Sequence, residues 1–202
     1  MGNGVHPSPN TAEIYALNSN IPRTGSSATT GSVMNEKSPE FYMRKTLALA
    51  REGLAMGEMP IAAIVVSEGE IIARAITAEI RERRLLVHAE YAALEQADKL
   101  KLSFEARRKA KLFTTLEPCL MCIGAAMSFY LGEIYYALES PSDGAVKLVT
   151  TWDRKEEDFA EYQLPKITGG LLREESLELF KEYVAQSPPG PLRNWAETLT
   201  RR

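Results

Sequence analysis

Apolar and polar positions along the chain repeat with two periods, and segments of the two kinds alternate. Four segments carry apolar residues at helical spacing, and a Ser-Pro-Glu sequence suited to a helix start opens the first of them. Short apolar runs rich in β-branched residues lie between turn residues and predict strands. The predicted helices cover residues 39–56, 88–100, 119–130 and 171–185. The predicted strands cover residues 61–66, 71–77, 111–115, 133–138 and 162–167, the first two as a hairpin.

This alternation divides the chain into three parts. Residues 1–37 begin with a stretch rich in Asn, Ser, Thr, Gly and Pro, without periodicity, and we expect a flexible leader there, with Met34 as an alternative start. Residues 38–186 carry all the predicted elements and form the expected α/β domain, in which helices cover a single sheet. Residues 187–202 are a tail that we expect to pack on or near the domain.

Composition narrows the classes of protein. The 202 residues are 45% hydrophobic and 25% charged, which suits one domain with a proper core. A net charge of −3 gives no overall attraction for nucleic acid. The chain has no apolar run long enough to span a membrane and no secretory layout at its amino terminus. Two cysteines three residues apart fit a metal site in a reducing cytoplasm, which is the predicted location.

Candidate chemistry is concentrated in two short motifs, His-x-Glu at residues 88–90 and Pro-Cys-x-x-Cys at residues 118–122. The chain has two cysteines, both in the second motif, and two histidines, one of which opens the first. Two thiolates and an imidazole suit Zn²⁺, and three protein ligands leave a fourth tetrahedral position open, as in catalytic sites. A water bound there would have a pKa of about 7. The sequence therefore predicts a zinc site formed by His88, Cys119 and Cys122.

The positions of these residues relative to helix starts support that prediction. Cys119 and Cys122 fall in the first turn of a predicted helix, where the dipole and free N–H groups favour thiolate. Glu90 follows His88 by two residues, so the two side chains diverge around the helix. We therefore interpret Glu90 as the catalytic proton carrier beside the metal, not as a ligand.

Two other interpretations of the Cys-x-x-Cys pair were weighed. Half of a four-cysteine structural zinc site is excluded within this chain, because it has no further cysteine. A thioredoxin-like redox pair remains as an alternative, but it explains neither His88 nor Glu90.

The order of motifs resembles a known superfamily. His-x-Glu followed by Pro-Cys-x-x-Cys is the signature of zinc deaminases that act on nucleobases. With Gly-Glu-x-Pro at residues 57–60 and Thr-Leu-Glu-Pro-Cys-x-Met-Cys at residues 115–122, the chain over about 39–185 is similar to the cytidine deaminase-like superfamily. Its nearest branch holds transfer-RNA adenosine deaminases, yeast-type cytosine deaminases and bacterial guanine deaminases. The resemblance implies a three-layer α-β-α fold with a five-stranded mixed sheet, a homo-oligomer, usually a dimer, and Glu90 as general acid/base.

The resemblance also implies a substrate site. It assigns substrate contacts to Thr77, Ala89, Glu117, Pro118 and Trp195, and backbone N–H groups near Glu117 to Cys119 are expected to stabilise developing charge. Thr77 stands where these relatives normally carry an Asn whose amide reads the base, and a hydroxyl offers a single donor at shorter reach. Trp195 either covers the pocket and stacks on the base or anchors the tail to the core.

These observations predict a hydrolytic deaminase that replaces an exocyclic amine of a nucleobase or nucleoside with oxygen and releases ammonia. The alternative is a tRNA-specific adenosine deaminase, since two clusters of basic residues are available for phosphate contacts. Against RNA, the helix 171–186 carries four glutamates and two basic residues. A non-catalytic zinc scaffold subunit ranks last, because such subunits lack the acid that Glu90 supplies. The basic clusters are Arg81, Arg83 and Arg84, and Arg107, Arg108, Lys109 and Lys111.

Overall fold

The computed structural model describes residues 37–153, 155 and 162–201, so the predicted leader lies outside the described residues except for Lys37. The helices are α1 (Pro39–Ala55), α2 (Glu79–Glu82), α3 (Ala89–Asp98), α4 (Phe104–Lys109), α5 (Leu120–Ser128), α6 (Val146–Thr151), α7 (Arg173–Gln186) and α8 (Pro191–Thr200). The strands are β1 (Ala62–Ser67), β2 (Glu70–Ile76), β3 (Lys111–Leu116), β4 (Glu133–Leu138) and β5 (Lys166–Thr168). Within the described ranges, no helix is long and apolar enough to cross a membrane.

The five strands form one mixed sheet in the order β2-β1-β3-β4-β5. Strand β1 is antiparallel to both β2 and β3, whereas β3, β4 and β5 run parallel. The carboxyl ends of β3 and β4 therefore lie at the same edge as the start of β1 and the end of β2. Ligands in α/β proteins bind at such an edge, where the direction of the connections changes.

Helices cover both faces of the sheet, as the resemblance implied. Helices α1 and α7 contact each other and the sheet, while α3 packs on β1 and β2 and contacts α5. Aromatic rings fill the core beneath α1, where Phe113 stacks on Tyr135 at 4.9 Å between centroids and meets Tyr42 at 5.3 Å. The predicted α/β class with a five-stranded mixed sheet is confirmed.

The first helix begins as its sequence predicted. Ser38 is the N-cap, its hydroxyl accepts from the N–H of Phe41 at 3.4 Å, and Pro39 occupies the first helical position. Proline suits that position because its N–H would have no partner inside the helix.

The last predicted strand was placed too early. Strand β5 is Lys166–Thr168, so residues 162–165 of the predicted strand are not extended ladder residues. Pro165 lacks the N–H that a ladder needs, and pairing with β4 starts just after it.

Four helices were not predicted. Helices α2, α4 and α6 have four to six residues, too few to show a helical period. For α8, Pro188 to Pro191 indicated the end of a helix, but Pro191 is also the first residue of the next one.

Candidate active site

Two helices begin at the shared edge of the sheet and present the predicted ligands there. His88 is the N-cap of α3 and Cys119 is the N-cap of α5, both with extended backbone. Neither side chain caps its own helix, so both are available to a common centre. Cys119 follows the end of β3 by three residues, and Cys122 lies one turn further along α5.

The three predicted ligand atoms form a triangle of the size that zinc requires. His88 Nδ1 lies 3.5 Å from Cys119 Sγ and 3.6 Å from Cys122 Sγ, and the two sulfurs are 3.7 Å apart. With Zn–S of about 2.3 Å and Zn–N of about 2.0–2.1 Å, a tetrahedral ion separates two sulfurs by about 3.8 Å and sulfur from nitrogen by about 3.6 Å. The donor set and its spacing therefore fit Zn²⁺, and these residues form the group able to hold a metal ion.

The electrostatics of this cluster favour a cation. The hydrogen bond between the two thiols lowers the pKa of Cys119 to about 4 and raises the pKa of Cys122. The hydrogen bond with Cys119 raises the pKa of His88 to about 9. The low pKa of Cys119 places a thiolate beside the protonated His88 ring. A metal ion takes the place of the shared proton, because metal ligands bind in their deprotonated forms.

Glu90 lies beside the cluster in the first turn of α3 and is almost completely buried. Its Oε1 accepts from the Thr114 hydroxyl on β3 at 2.8 Å, and its Oε2 accepts from Cys122 Sγ at 3.5 Å. Burial raises the pKa of this carboxyl. A buried carboxyl with a raised pKa and a fixed orientation is suited to take up and release a proton near neutral pH.

The cluster opens into a cavity of about 230 Å³. Its walls combine apolar side chains with four carboxylates, and the lining residues come from six segments of the chain. The lining residues are Met59, Ile61, Thr77, Glu79, His88, Glu90, Leu116, Glu117, Cys119, Asp143, Leu192 and Trp195. The structure thus brings Thr77, Glu117 and Trp195 to the cavity as expected, whereas Ala89 and Pro118 are buried and are not among these lining residues.

Thr77 and Glu79 form one wall of the cavity. The Thr77 hydroxyl is buried, and its single hydrogen is shared between the carbonyl of Val87 at 3.1 Å and Glu79 Oε2 at 3.3 Å. Glu79 Oε1 lies 3.8 Å from His88 Nε2, the ring nitrogen opposite the one in the cluster. Burial raises the pKa of Glu79. Sequence reasoning missed Glu79, although an acid two residues beyond a strand end already predicted at the site was a usable signal.

A second buried carboxylate fixes the position of that wall. Glu58, from the Gly-Glu-x-Pro segment, is fully buried. Its Oε1 accepts from the N–H of Arg81 at 2.8 Å and its Oε2 from the N–H of Ile80 at 3.2 Å. These bonds cap the start of α2, which would otherwise have unpaired N–H groups. Glu58 therefore holds the helical turn that carries Glu79.

Glu117 organises the opposite loop. Its Oε2 accepts from the N–H of Ser140 at 3.0 Å and its Oε1 from the N–H of Val146 at 3.1 Å. Gly144 packs so closely that an added Cβ would lie 2.4 Å from Glu117 Cδ and 2.5 Å from Ser140 O. Gly144 also forms an isolated bridge with Cys119. Glu117 thus ties the loop that carries Asp143 to the metal-binding segment.

The backbone donors expected near Glu117 are fewer than predicted. The N–H of Glu117 donates to the carbonyl of Leu138 at 2.7 Å, and Pro118 has no N–H. Of that stretch, only Cys119 could donate to developing charge, and that role stays a prediction.

Helix α8 contributes Leu192 and Trp195 to the lining of the cavity. The Trp195 indole N–H donates to Ser142 Oγ at 3.1 Å, and its ring meets Phe180 of α7 edge to face, 6.2 Å between centroids. Trp195 therefore lines the cavity and anchors the helix, and its stacking on a base stays a prediction. Leu192, one turn before it, was missed because α8 was not predicted.

The sequence of this chain matches a known protein family and is similar to characterised relatives. Residues 36–138, about half of the chain, match the family described as the cytidine and deoxycytidylate deaminase zinc-binding region. A tRNA-specific adenosine deaminase of Bacillus subtilis (strain 168) is 33% identical over 136 residues, 67% of this chain and 82% of the relative.

Two solved structures have similar folds. Guanine deaminase from Nitrosomonas europaea is 26% identical with a TM-score of 0.59, over 91% of this chain and 97% of that one. A structure from work on A-to-I editing by tRNA:A34 deaminases at the wobble position is 29% identical with a TM-score of 0.57, over 69% of this chain and 98% of that one. The matched region contains both motifs and every ligand of the triangle. The chain therefore belongs to the cytidine and deoxycytidylate deaminase family and is a zinc-dependent deaminase.

Proposed function

We propose that the protein deaminates a free nucleobase or nucleoside by hydrolysis, replacing an exocyclic amine with oxygen and releasing ammonia. The observation that carries this proposal is the wall of the cavity, to which α8 contributes Leu192 and Trp195, with Trp195 held in place by Ser142. A cavity of about 230 Å³ is smaller than the sites of about 300–1,000 Å³ that hold drug-sized ligands. It suits a single flat ring system.

The charge of the cavity supports an uncharged substrate. Four carboxylates line it, and in the part of the chain that the structure describes no lysine or arginine does. Phosphate groups would meet like charge there, since repulsion between close charges is strong away from bulk water. A nucleotide or an RNA backbone is therefore disfavoured. The four carboxylates are Glu79, Glu90, Glu117 and Asp143.

The basic clusters considered for RNA are largely engaged with acids. Arg84 pairs with Glu82 at 2.9 Å, and Arg107 pairs with Asp98 at 2.6 Å. Lys109 pairs with Glu105 at 2.6 Å. Such pairs reduce the positive field that a phosphate backbone needs.

The comparisons support both candidate substrates in different ways. The guanine deaminase structure aligns over 91% of this chain, against 69% for the tRNA:A34 deaminase structure. The curated relative with 33% identity acts on tRNA and is the reason to keep wobble-adenosine deamination as the second candidate.

In this proposal His88, Cys119 and Cys122 hold the zinc ion. When bound, zinc lowers the pKa of a water molecule to about 7 and so supplies a nucleophile at neutral pH. Glu90 takes the proton of the attacking water at Oε2, the oxygen facing the cluster, while Thr114 holds Oε1. Glu90 passes that proton to the ring nitrogen beside the reacting carbon as the C–O bond forms. It then takes the remaining proton of the added hydroxyl and gives it to the amine, which leaves as ammonia while the carbonyl forms. Such proton transfer contributes about 10²–10⁴-fold to the rate.

The remaining predicted contacts belong to the same proposal. Thr77 and Trp195 would contact the ring of the substrate. Glu117 would position the loop of Asp143, which it holds through hydrogen bonds. Ala89 and Pro118 would contribute by shaping the starts of α3 and α5. Cytoplasmic location and a homodimer also stay predictions. The cytoplasm is predicted because free thiols such as these persist in a reducing compartment.

The test is ammonia release by the zinc-loaded protein from a panel of substrates. The panel holds cytosine, guanine, adenine, their nucleosides, and a transfer RNA with adenosine at the wobble position. Turnover of a base or nucleoside, with none of the transfer RNA, is the expected result. Turnover of the transfer RNA alone would overturn the proposal in favour of the second candidate.

The two candidates from other classes have separate tests. A scaffold subunit would release no ammonia from any member of the panel while binding zinc. A redox protein would exchange disulfides and contain no zinc, so one zinc per chain after purification without added metal excludes it.

A further inference from the structure

The polar hydrogens of the cavity wall are used within the protein. The Thr77 hydroxyl donates to Val87 and Glu79, and the Trp195 indole donates to Ser142. Asp143 in turn accepts from the hydroxyls of Ser140 and Ser142. What the wall presents to a substrate is therefore chiefly acceptor oxygen.

Two carboxylates lie near the metal cluster, each next to a different one of the metal ligands. Glu90 reaches it beside Cys122, at 3.5 Å, while Glu79 reaches it beside the outer nitrogen of His88, at 3.8 Å. Glu79 is fixed there, because its helical turn is capped by Glu58 and its Oε2 is held by Thr77. Only about a seventh of its side chain is exposed. Because Glu79 also lines the cavity, its carboxylate can accept a hydrogen bond from a donor on the substrate.

The chemistry of the reaction then limits what the donor can be. The carbon that loses its amine has two ring neighbours, and one must be a bare nitrogen that Glu90 can protonate. In cytosine and adenine the other neighbour is carbon, which gives Glu79 nothing to accept. In guanine and isocytosine it is a ring N–H.

We infer that Glu79 is a specificity-determining residue that accepts a hydrogen bond from a ring N–H beside the leaving amine. The preferred substrate class is accordingly a ring whose reacting carbon lies between two nitrogens, one of them carrying hydrogen. Glu79 would then contact the base in place of the Asn amide that the relatives carry at the position of Thr77. This inference rests on the proposed action on free bases.

Guanine and 2-aminopurine test it, because both carry the 2-amine but only guanine has the neighbouring N–H. We compare kcat/KM for the two bases in the wild type and in Glu79→Met, which keeps the side-chain length but removes the acceptor. The expected result is a fall of at least about 10-fold in the guanine to 2-aminopurine ratio, since a site built to pair an N–H discriminates strongly against its absence. Comparing ratios cancels the intrinsic reactivity of each base.

A second variant, Glu79→Gln, should raise the relative kcat/KM for 2-aminopurine, because its amide can donate to the bare nitrogen. Glu82→Met is the matched control, since Glu82 lies on the same turn and pairs with Arg84 instead of lining the cavity. Its ratio should equal that of the wild type.

Binding gives a readout that does not depend on turnover. Dissociation constants of both bases are measured by calorimetry on Glu90→Ala, with and without Glu79→Met, and zinc content is measured for each variant. Retained zinc with a lost preference supports the inference. An unchanged preference in Glu79→Met overturns it and leaves action on free bases standing, whereas turnover of the transfer RNA alone overturns both.

Discussion

The metal side and the base wall of this cavity are built in different ways. The metal side, made of His88, Glu90, Cys119 and Cys122, comes from the first turns of two neighbouring helices. The base wall, made of Thr77, Glu79, Asp143, Leu192 and Trp195, comes from a strand end, a four-residue helix, a loop and the helix α8. Two short motifs therefore carry the metal ligands and Glu90, whereas the wall that we propose for substrate recognition is assembled from segments distant in sequence.

Removing a zinc ligand should cause the largest loss and should affect the metal side alone. Cys122→Ser replaces a buried thiolate by a hydroxyl, a poorer zinc ligand, so zinc content should fall far below one per chain and ammonia release should vanish. The melting temperature should fall as well, because metal binding contributes to folding free energy. After chelation, added Zn²⁺ should restore the wild type but not the variant; a variant with full zinc and full activity contradicts the site.

Glu90→Gln should separate proton transfer from metal binding. The amide keeps the size of the side chain and its bond with Thr114, but it cannot carry the proton, so kcat should fall by about 10²–10⁴-fold. Zinc content should stay at one per chain. Glu95→Gln, on the exposed face of the same helix and paired with Lys99, is the control and should match the wild type. Near-normal kcat in Glu90→Gln would falsify the role given to this residue.

Trp195→Ala should affect the base wall alone. Stacking of a base on an aromatic ring contributes about 1–3 kcal/mol, so KM for the small substrate should rise by about 10-fold while zinc content holds. Trp152→Ala, at the other tryptophan, controls for the loss of an indole and should leave KM unchanged. If KM did not move, Trp195 would have no part in substrate binding.

Glu58→Gln should have the smallest effect, because Glu58 does not line the cavity and acts on the base wall only by holding α2, which carries Glu79. One of the two buried bonds to the start of α2 is weakened, which should lower the free energy of unfolding by about 1–3 kcal/mol. The kcat/KM should fall only a few-fold, through a displaced Glu79. Urea unfolding and steady-state kinetics measure the two effects, with exposed Glu52→Gln as the control. Zinc loss in this variant would mean that Glu58 supports the metal side as well as the base wall.

The metal side could be predicted from the sequence, whereas much of the base wall could not. Strand β4 was predicted with both bounds correct, because its apolar run stands between Gly132 and a Ser-Pro turn. The metal triangle followed from motif spacing, since a helix start fixes the directions of its first side chains. Glu79 and Leu192 were missed because α2 is too short to show a period and α8 follows a run of prolines. Their places depend on contacts such as Glu58 with α2 and Trp195 with Ser142, which no local pattern records.

Gly144 has a consequence for how this protein can diversify. It leaves no room for a Cβ against Glu117, and it is bridged to the segment of Cys119. Any side chain there displaces the Asp143 loop and the metal-binding segment together, so substitutions at this point trade selectivity against metal geometry. The Thr77–Glu79 wall has its own attachments to Val87 and Glu58. New substrate preferences should therefore evolve, or be selected in the laboratory, through residues 77–79 before residues 140–146.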